Sequence, residues 1–298
     1  MTEAVMFTVI SSEYDGMLLR EYLRSVLRLS RAELTELKKR DDGIMLNGTR
    51  VTVRAILKEG DELSLSRGDL MSSEGVIPIE LPLDILYEDD DVIALNKPPF
   101  MPTHPSHDHQ SDTLANALAF YFKRKGIPFV FRAVNRLDRD TSGVVLVAKN
   151  KSAAFVLAKQ IAEFKIIKKY VAIVDGENCV SGEIEGNIRR VEDGKMKRGV
   201  YPDGQYALTE YEVLGVKNGL STLLVTPKTG RTHQIRVHLS HIGHPILGDT
   251  LYGDDDGSPL ICRQALHAYS LTFTLPSSNE TITVTAPLPT DMAAIGCL

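Results

Sequence analysis

A carboxylate between two guanidinium groups is the first feature of this sequence that could do chemistry. In NRLDRDTSGVVLVAKN, residues 135–150, Asp138 lies between Arg136 and Arg139 and is followed by a polar turn and a β-branched run. An aspartate is ionised at physiological pH, and neighbouring arginines favour that charge. The pattern suits nucleophilic or electrostatic catalysis, although a solvated charge pair in a turn that caps the next element would look the same.

The same loop contains Asp140-Thr141-Ser142-Gly143, which is similar to the active-site loop of aspartic proteases. That chemistry needs two carboxylates that share one proton. The spacing here inserts an extra residue, and the sequence has no second copy of the loop. These differences argue against an aspartic protease.

A second candidate segment is TPKTGRTHQIRVHLSHIGHPILGDTLYG, residues 226–253. Its spacing predicts a helix over residues 232–242, ended by Gly243 and Pro245. The apolar positions Ile235, Leu239 and Ile242 share one face of that helix. Arg231 lies at the predicted start and Arg236 one turn later, off the apolar face. The amides of a helix start attract phosphates and carboxylates, although a solvated surface arginine is the alternative.

Tyr170 lies in KKYVAIVDG and alternates with Ala172 and Val174, so the three share one face of a predicted strand. A core tyrosine is the ordinary interpretation of such a position. The functional alternative is a flat ring on which a base stacks, which contributes roughly 1–3 kcal/mol per base.

Seven of the eight histidines fall in two clusters. Imidazole is the commonest metal ligand, so a metal-dependent hydrolase is one possible class. The sequence has no HExxH, however, and the helical histidines do not share one face. Donors to a polyanion are the other interpretation. The clusters are His104, His107 and His109, and His233, His238, His241 and His244.

The composition is that of an ordinary globular protein, with 298 residues, a net charge of −5 and 43% hydrophobic residues. This length suits about two domains. The three cysteines are far apart and not in CxxC spacing, which favours a reducing compartment. No basic residue precedes the first short apolar patch and no run could span a bilayer, so we expect a cytoplasmic protein.

The N-terminal part predicts a small unit over residues 13–67, made of two helices and a hairpin. Residues 17–29 have helical spacing, Ser30 and Glu33 form a capping box before the second helix, and Asn47-Gly48 is a strong hairpin turn. Between residues 17 and 40 seven Lys or Arg stand against three Glu. A solvated helix face or an RNA-binding face explains this charge.

Residues 68–82 are rich in Ser, Gly and Pro and predict a linker, and a larger domain follows over residues 83–298. Many short strands with interspersed helices predict an α+β fold with a mixed, mostly antiparallel sheet and flanking helices.

Together these segments resemble the RluA family of pseudouridine synthases. The motif NRLDRDTSG is similar to the family's H-R-L-D-x-x-T-S-G. The other matching segments follow in family order and are LYEDDDVIALNKPPFMPTHPS, KKYVAIVDG, ALTEYEVL, KTGRTHQIRVHLSHIGHPILGDTLYG and RQALHAYSL. Residues 13–67 resemble the RNA-binding domain of a small-subunit ribosomal protein, which this family often carries.

The resemblance implies that Asp138 is the catalytic aspartate, Tyr170 the active-site tyrosine and Arg236 the arginine that pairs with the aspartate. Asn135 stands where the family usually has histidine, and it still offers a donor and an acceptor. The implied activity is isomerisation of uridine in RNA, with no cofactor and no metal. The expected RNA-binding residues are Arg136, Arg20, Arg24, Arg28, Arg31, Lys38, Lys39, Arg231 and His233.

The basic N-terminal unit and the insertion GNIRRVEDGKMKRG, residues 186–199, favour a structured RNA, with ribosomal RNA ahead of tRNA. We expect a monomer. A non-catalytic RNA-binding or ribosome-assembly factor that kept the fold is the alternative. Whether Asp138 attacks the sugar or base, or removes a ribose proton, stays open.

Overall fold

Two β-sheets organise the part of the chain that the computed structural model describes, which is residues 5–27, 29, 31–66, 72–73, 75–177, 180–192, 195–253 and 257–296. The first sheet has the strand order β1-β4-β2-β3. Its strands are β1 (Val5–Val9), β2 (Ile44–Leu46), β3 (Thr49–Arg50) and β4 (Glu62–Ser66). Asn47 and Gly48 connect β2 to β3 with φ of 51° and 73°, as the hairpin prediction requires.

The helices of this N-terminal unit differ in part from the prediction. The α-helix α1 (Leu19–Glu21) is short and passes into a π-helical turn, Tyr22–Val26. This wider turn, closed by the Leu27 amide on the Tyr22 carbonyl at 3.1 Å, keeps Tyr22 and the adjacent Leu23 buried together. The second helix, α2 (Arg31–Lys39), is present. Its predicted cap Ser30 lies outside the described residues.

The larger sheet has nine strands, with the order β5-β6-β7-β14-β8-β13-β12-β9 and β15 paired to β14. Among the described pairings only β7 with β14 is parallel, so the sheet is mixed and mostly antiparallel, as predicted. A separate two-stranded sheet pairs β10 with β11. The strands are β5 (Ile85–Glu88), β6 (Val92–Lys97), β7 (Ser142–Ala148), β8 (Ile167–Asp175), β9 (Gly182–Glu185), β10 (Ile188–Arg190), β11 (Arg198–Val200), β12 (Leu208–Lys217), β13 (Leu220–Pro227), β14 (Leu266–Thr274) and β15 (Thr281–Thr285).

Both faces of the central strands are buried because α3 (Leu114–Arg124) and α4 (Lys151–Ala162) cover opposite sides. On one face of β7, Val145 and Val147 belong to the hydrophobic cluster that contains Leu118 of α3. On the other face, Val144 and Leu146 belong to a second cluster, which contains Leu157 of α4. Central strands covered on both sides are continuously apolar, which explains the unbroken VVLVA run.

Local residues set the ends of α3, and the prediction of a helix over residues 232–242 is confirmed. Thr113 caps α3 by accepting from the Asn116 amide, and Gly126 follows the helix with φ of 70°. The helix predicted over residues 232–242 is α5 (Gln234–His241), and a last short helix is α6 (Thr290–Ala293). No helix in the described ranges has the length and hydropathy of a membrane span.

The predicted linker, residues 68–82, lies partly outside the described residues. Its described positions contain no helix or strand. They lie against α3 and the segment after it, since the Ser73 amide donates to the Phe129 carbonyl at 3.0 Å and the Asn116 side chain donates to the Ile77 carbonyl at 2.7 Å.

Candidate active site

Asp138 lies in a loop, residues 135–141, that leads into β7 and is called here the Asp138 loop. Polar groups from distant segments hold its backbone. The Lys97 ammonium donates to the Arg139 carbonyl at 2.9 Å, Thr103 donates to the Leu137 carbonyl at 3.1 Å, and Arg263 donates to the Asp140 carbonyl at 3.3 Å. The loop is therefore fixed while the Asp138 side chain stays 27% exposed.

Lys97 is fully buried and also donates to the carbonyls of Pro98, at 2.8 Å, and Met101, at 2.7 Å. Burial lowers the pKa of Lys97 to about 7, against the opposing charges of Asp140 and Asp138. Three carbonyl acceptors match the three donors of an ammonium. The charged form is the one that binds all three of them.

Asn135 connects the start of the Asp138 loop to β7. Its side-chain amide donates to the Val144 carbonyl at 3.0 Å, and its oxygen accepts from the Leu146 amide at 2.8 Å. Asn135 thus uses both its donor and its acceptor on the backbone of the strand that follows Asp138.

Arg236, in α5, connects Asp138 to a second carboxylate. Its Nη1 donates to Asp138 Oδ2 at 2.8 Å, while its Nε and Nη2 donate to Asp249 at 2.6 and 2.9 Å. Asp249 is buried and also accepts from the amides of Leu251 and Tyr252. Burial alone would lower the pKa of Arg236, but the hydrogen bonds and charges of Asp249 and Asp138 outweigh it and raise that pKa.

Tyr170 and His233 complete the surroundings of Asp138. Tyr170 is 9% exposed, and burial together with the charge of Asp138 raises its pKa, so the phenol stays protonated. His233 Nε2 lies 3.8 Å from Asp138 Oδ2, and its Nδ1 lies 2.8 Å from the Tyr252 hydroxyl. Burial lowers the pKa of His233 despite the opposing charge of Asp138, which favours neutral imidazole.

These side chains line an open cavity of about 230 Å³. Its walls come from the Asp138 loop, β8, the segment 227–233 and the start of α5. Gln234 holds that segment by accepting from Thr229 at 2.7 Å and from the Arg231 amide at 2.9 Å. The charged and aromatic lining residues are Arg136, Asp138, Lys168, Tyr170, Arg231, His233 and Arg236.

The structure divides the predicted site residues into two groups. Those at the cavity are the three predicted catalytic residues with Arg136, Arg231 and His233. Those on the N-terminal unit do not line the cavity. The exposed residues of this second group are Arg20, Arg24, Arg31, Lys38 and Lys39, and Arg28 lies outside the described residues. The basic insertion 186–199 contributes β10 and β11.

The histidine clusters separate in the structure. Exposed His107 pairs with Asp108 at 3.0 Å, and half-buried His109 pairs with Asp112 at 2.6 Å. His238 is buried between Thr209 and the Gly186 carbonyl. No group of three or more His, Cys, Asp or Glu within the described ranges is placed to hold a metal ion.

Sequence reasoning missed Asp249, Lys97, Lys168 and Arg263 as parts of this site. Asp249 stands in the motif LGDTLYG and Lys97 in LNKPP, so each lay in a segment already noted. The local pattern did not show the partners of these residues. Asp249 contacts Arg236 13 positions away in the same segment, whereas Lys97 and Arg263 reach Arg139 and Asp140 across 42 and 123 positions.

The arrangement presents one oriented carboxylate beside a neutral aromatic ring in a cavity with a surplus of positive charge. Such a site suits a flat, uncharged ring carried on a polyanion. The carboxylate is placed to attack that substrate or to remove a proton from it.

Comparison with known proteins gives consistent similarities. The model of the RNA pseudouridylate synthase family matches residues 91–241. The uncharacterized RNA pseudouridine synthase YjbO of Bacillus subtilis is 39% identical over 280 residues, covering 94% of this chain and 98% of its own. The ribosomal large subunit pseudouridine synthase D of Xanthomonas campestris is 36% identical, covering 88% of this chain and 82% of its own.

A solved human structure, RNA Pseudouridylate Synthase Domain Containing 1, is also similar. It is 32% identical with a TM-score of 0.58, and the match covers 69% of this chain and 83% of that one.

Proposed function

Since the chain belongs to the RNA pseudouridylate synthase family and is an RNA pseudouridine synthase, we propose that Asp138 is the carboxylate on which its isomerisation of uridine depends. The observation that carries this proposal is the 2.8 Å contact between Arg236 Nη1 and Asp138 Oδ2 at the wall of an open cavity. The carboxylate is oriented by Arg236 and accessible from the cavity.

The reaction needs no outside electron or phosphoryl donor, because its bonds and protons balance within the nucleotide. The bond from ribose C1′ to uracil N1 breaks, the base turns, and a bond from C1′ to C5 forms. C5 loses a proton and N1 gains one. The protein must therefore admit a uridine removed from its stack, which costs a few kcal/mol.

Asp138 acts in this proposal either by attacking the sugar or base, or by removing a ribose proton. Both routes need an ionised carboxylate held at a fixed angle. Arg236 supplies the countercharge with one donor and keeps its other donors on Asp249, so Asp138 remains free to turn its second oxygen to the substrate.

Tyr170 offers its ring to the turned-out base, and stacking offsets part of the cost of removing that base from the RNA. Arg136 is exposed at the cavity. We infer that its guanidinium enters the space that the uridine leaves in the RNA.

We further propose that residues 13–67 form a separate RNA-binding unit and that the substrate is ribosomal RNA, ahead of tRNA. Exposed Arg20, Arg24, Arg31 and Lys38 support the first point. The name of the Xanthomonas campestris relative, a ribosomal large subunit pseudouridine synthase, supports the second. The alternative is a non-catalytic RNA-binding or ribosome-assembly factor. The Asp249–Arg236–Asp138 arrangement argues against it, because a factor without activity would not need an oriented carboxylate in a cavity.

The first prediction tests Asp138 directly. Asp138→Asn should reduce tritium release by at least about 10³-fold while RNA affinity changes little, because the variant removes the charge and keeps the shape. The substrate is total RNA, tritiated at uracil C5, from a strain that lacks the gene.

Asp140→Asn is the matched control, since Asp140 lies in the same loop and pairs with Arg139 at 2.8 Å. It should retain most of the activity. Normal tritium release by Asp138→Asn would contradict the proposal.

A further inference from the structure

Lys168 is a charged residue of the cavity to which no part of the proposed chemistry assigns a task. It lies on β8, two residues before Tyr170, and lines the same cavity. Alternate residues of a strand face the same side, so the two side chains share one wall. The next residue, Lys169, faces the other way and is exposed.

The Lys168 ammonium is half-buried and makes no hydrogen bond or ion pair with any residue that the structure describes. Burial lowers the pKa of Lys168, and no carboxylate acts on it to offset that effect. A partly desolvated cation without a partner costs stability. A ligand that brings negative charge would remove that cost.

The other charges of the cavity are distributed differently. Arg236 is neutralised by Asp249 and Asp138. Arg136 and Arg231 are exposed at the opening, and Arg231 donates to the Tyr206 carbonyl at 2.9 Å. Asp138 is the single carboxylate among the described lining residues, so the cavity has a net positive charge that Lys168 extends inward.

The ammonium lies close to the opposite wall of the cavity. The Lys168 Nζ lies 3.6 Å from where a Cβ on Gly230 would stand, so the side chain spans from β8 towards the segment 227–233. Two residues along a strand correspond to about 7 Å. In a nucleotide whose base is stacked on Tyr170, only the ribose separates the base from its own phosphate. The distance from base to phosphate is therefore similar to the spacing between residues 170 and 168.

We propose that Lys168 binds a backbone phosphate next to the turned-out uridine, and so fixes the nucleotide whose base lies on Tyr170. This inference rests on the proposed function, because it requires that a uridine of RNA enters this cavity. Lys168 acts as a point charge on the phosphate and takes no part in the bond changes at C1′.

The test compares Lys168→Gln with Lys169→Gln, a matched variant with the same charge change on the opposite face of β8. Initial rates of tritium release are measured on total RNA from the gene-deleted strain at several salt concentrations. For Lys168→Gln we expect KM to rise about 10-fold while kcat stays within about twofold of the wild type. The slope of log KM against log salt concentration should fall by the amount that corresponds to the loss of about one phosphate contact.

Lys169→Gln should match the wild type, and Lys168→Arg, which keeps the charge, should restore KM and its salt dependence. Thermal unfolding checks the fold; Lys168→Met, which keeps the aliphatic stem, replaces Lys168→Gln if that variant unfolds. A lower kcat with unchanged KM and salt dependence, or equality of the two glutamine variants, would overturn the inference. An inactive wild type would instead refute the proposed function.

Discussion

The Arg236 guanidinium lies between two carboxylates that use it differently. Asp249 takes two of its donors, is buried, and is itself held by two backbone amides. Asp138 takes one donor and remains partly exposed. A planar guanidinium with fixed donors transmits the orientation of one partner to the other. Asp249 is thus a positioning residue for Asp138.

Replacement of Asp249 should expose this dependence. Asp249→Asn puts an amide donor against the Arg236 fork, so the arginine loses its fixed orientation and kcat should fall by roughly 10–100-fold with little change in RNA affinity. Single-turnover tritium release and a binding assay measure the two quantities. Asp203→Asn, at the exposed pair with Arg189, is the control. Equal loss of activity in both variants would contradict a positioning role.

For individual residues, the sequence singled out the proposed catalytic groups more readily than the residues that hold them. Asp138 was conspicuous because arginines flank it, and Arg236 because it lies off the apolar face of a predicted helix. Asp249 and Lys97 were not identified, since a lone acid after glycine or a lone lysine before proline gives no sign of the residue that it contacts. Asn135 was noted only as a departure from the family motif, although it binds the backbone of β7 through both of its polar groups.

The junction of β7 and β14 positions the Asp138 loop at the scale of the elements. Ser142, which directly follows that loop, pairs with His267 in the parallel ladder. The Ser142 hydroxyl lies 2.9 Å from His267 Nδ1, and His267 Nε2 lies 3.3 Å from the Ala286 carbonyl. Gly143 has φ of 109°, and a Cβ there would stand 2.2 Å from the Ala268 carbonyl oxygen, so only glycine fits.

His267 makes this junction sensitive to acid. Burial lowers the pKa of His267 to about 4 from its ordinary 6.5. As pH falls below 6.5 the unfolded chain gains a proton that the folded chain refuses, so stability is lost between pH 6.5 and about 4. The full shift corresponds to about 3 kcal/mol.

Urea unfolding of wild type and His267→Gln at pH 7 and pH 5 tests this effect. The free-energy advantage of the wild type should shrink by about 2 kcal/mol at pH 5, because glutamine does not titrate. His107→Gln, whose side chain is 99% exposed, is the control and should show no such change. A constant difference between wild type and His267→Gln would contradict the explanation.

The elements that local chemistry defines were the predictable ones. Thr113 and Gly126 bound α3, and Asn47-Gly48 makes the hairpin, because caps and turns depend on a few adjacent residues. The π-helical turn after α1 and the positive φ of His233, 58° at the start of α5, depend on packing instead. A sequence pattern with helical spacing does not contain that information.

At the scale of the whole molecule, charge is unevenly distributed. The chain has a net charge of −5, yet exposed cations occupy the N-terminal unit and the cavity. Polyanion binding depends on local charge, so overall acidity does not oppose RNA binding. A net negative charge taken alone argues weakly against nucleic-acid binding, whereas the positions of the exposed cations favour it.

Neutralising the N-terminal cations in the full chain tests the proposed RNA-binding unit. A variant in which four N-terminal cations are replaced by glutamine should have a higher KM for total RNA and a weaker salt dependence of KM. Its kcat should be unchanged, because those residues lie outside the cavity. A fourfold variant on the larger domain is the control, and equal effects of the two would contradict the proposal. The test set is Arg20, Arg24, Arg31 and Lys38, and the control set is Lys123, Arg124, Lys159 and Lys217.

The contact between Asp138 and Arg236 joins residues 98 positions apart, and Asp249 and Arg263 lie further along the chain. During synthesis the ribosome therefore produces the carboxylate long before it produces the groups that orient it. A nascent chain that has emerged only through β8 contains Asp138 and Tyr170 but not Arg236 or Asp249. The groups that orient Asp138 are therefore all present only after the ribosome has passed residue 263.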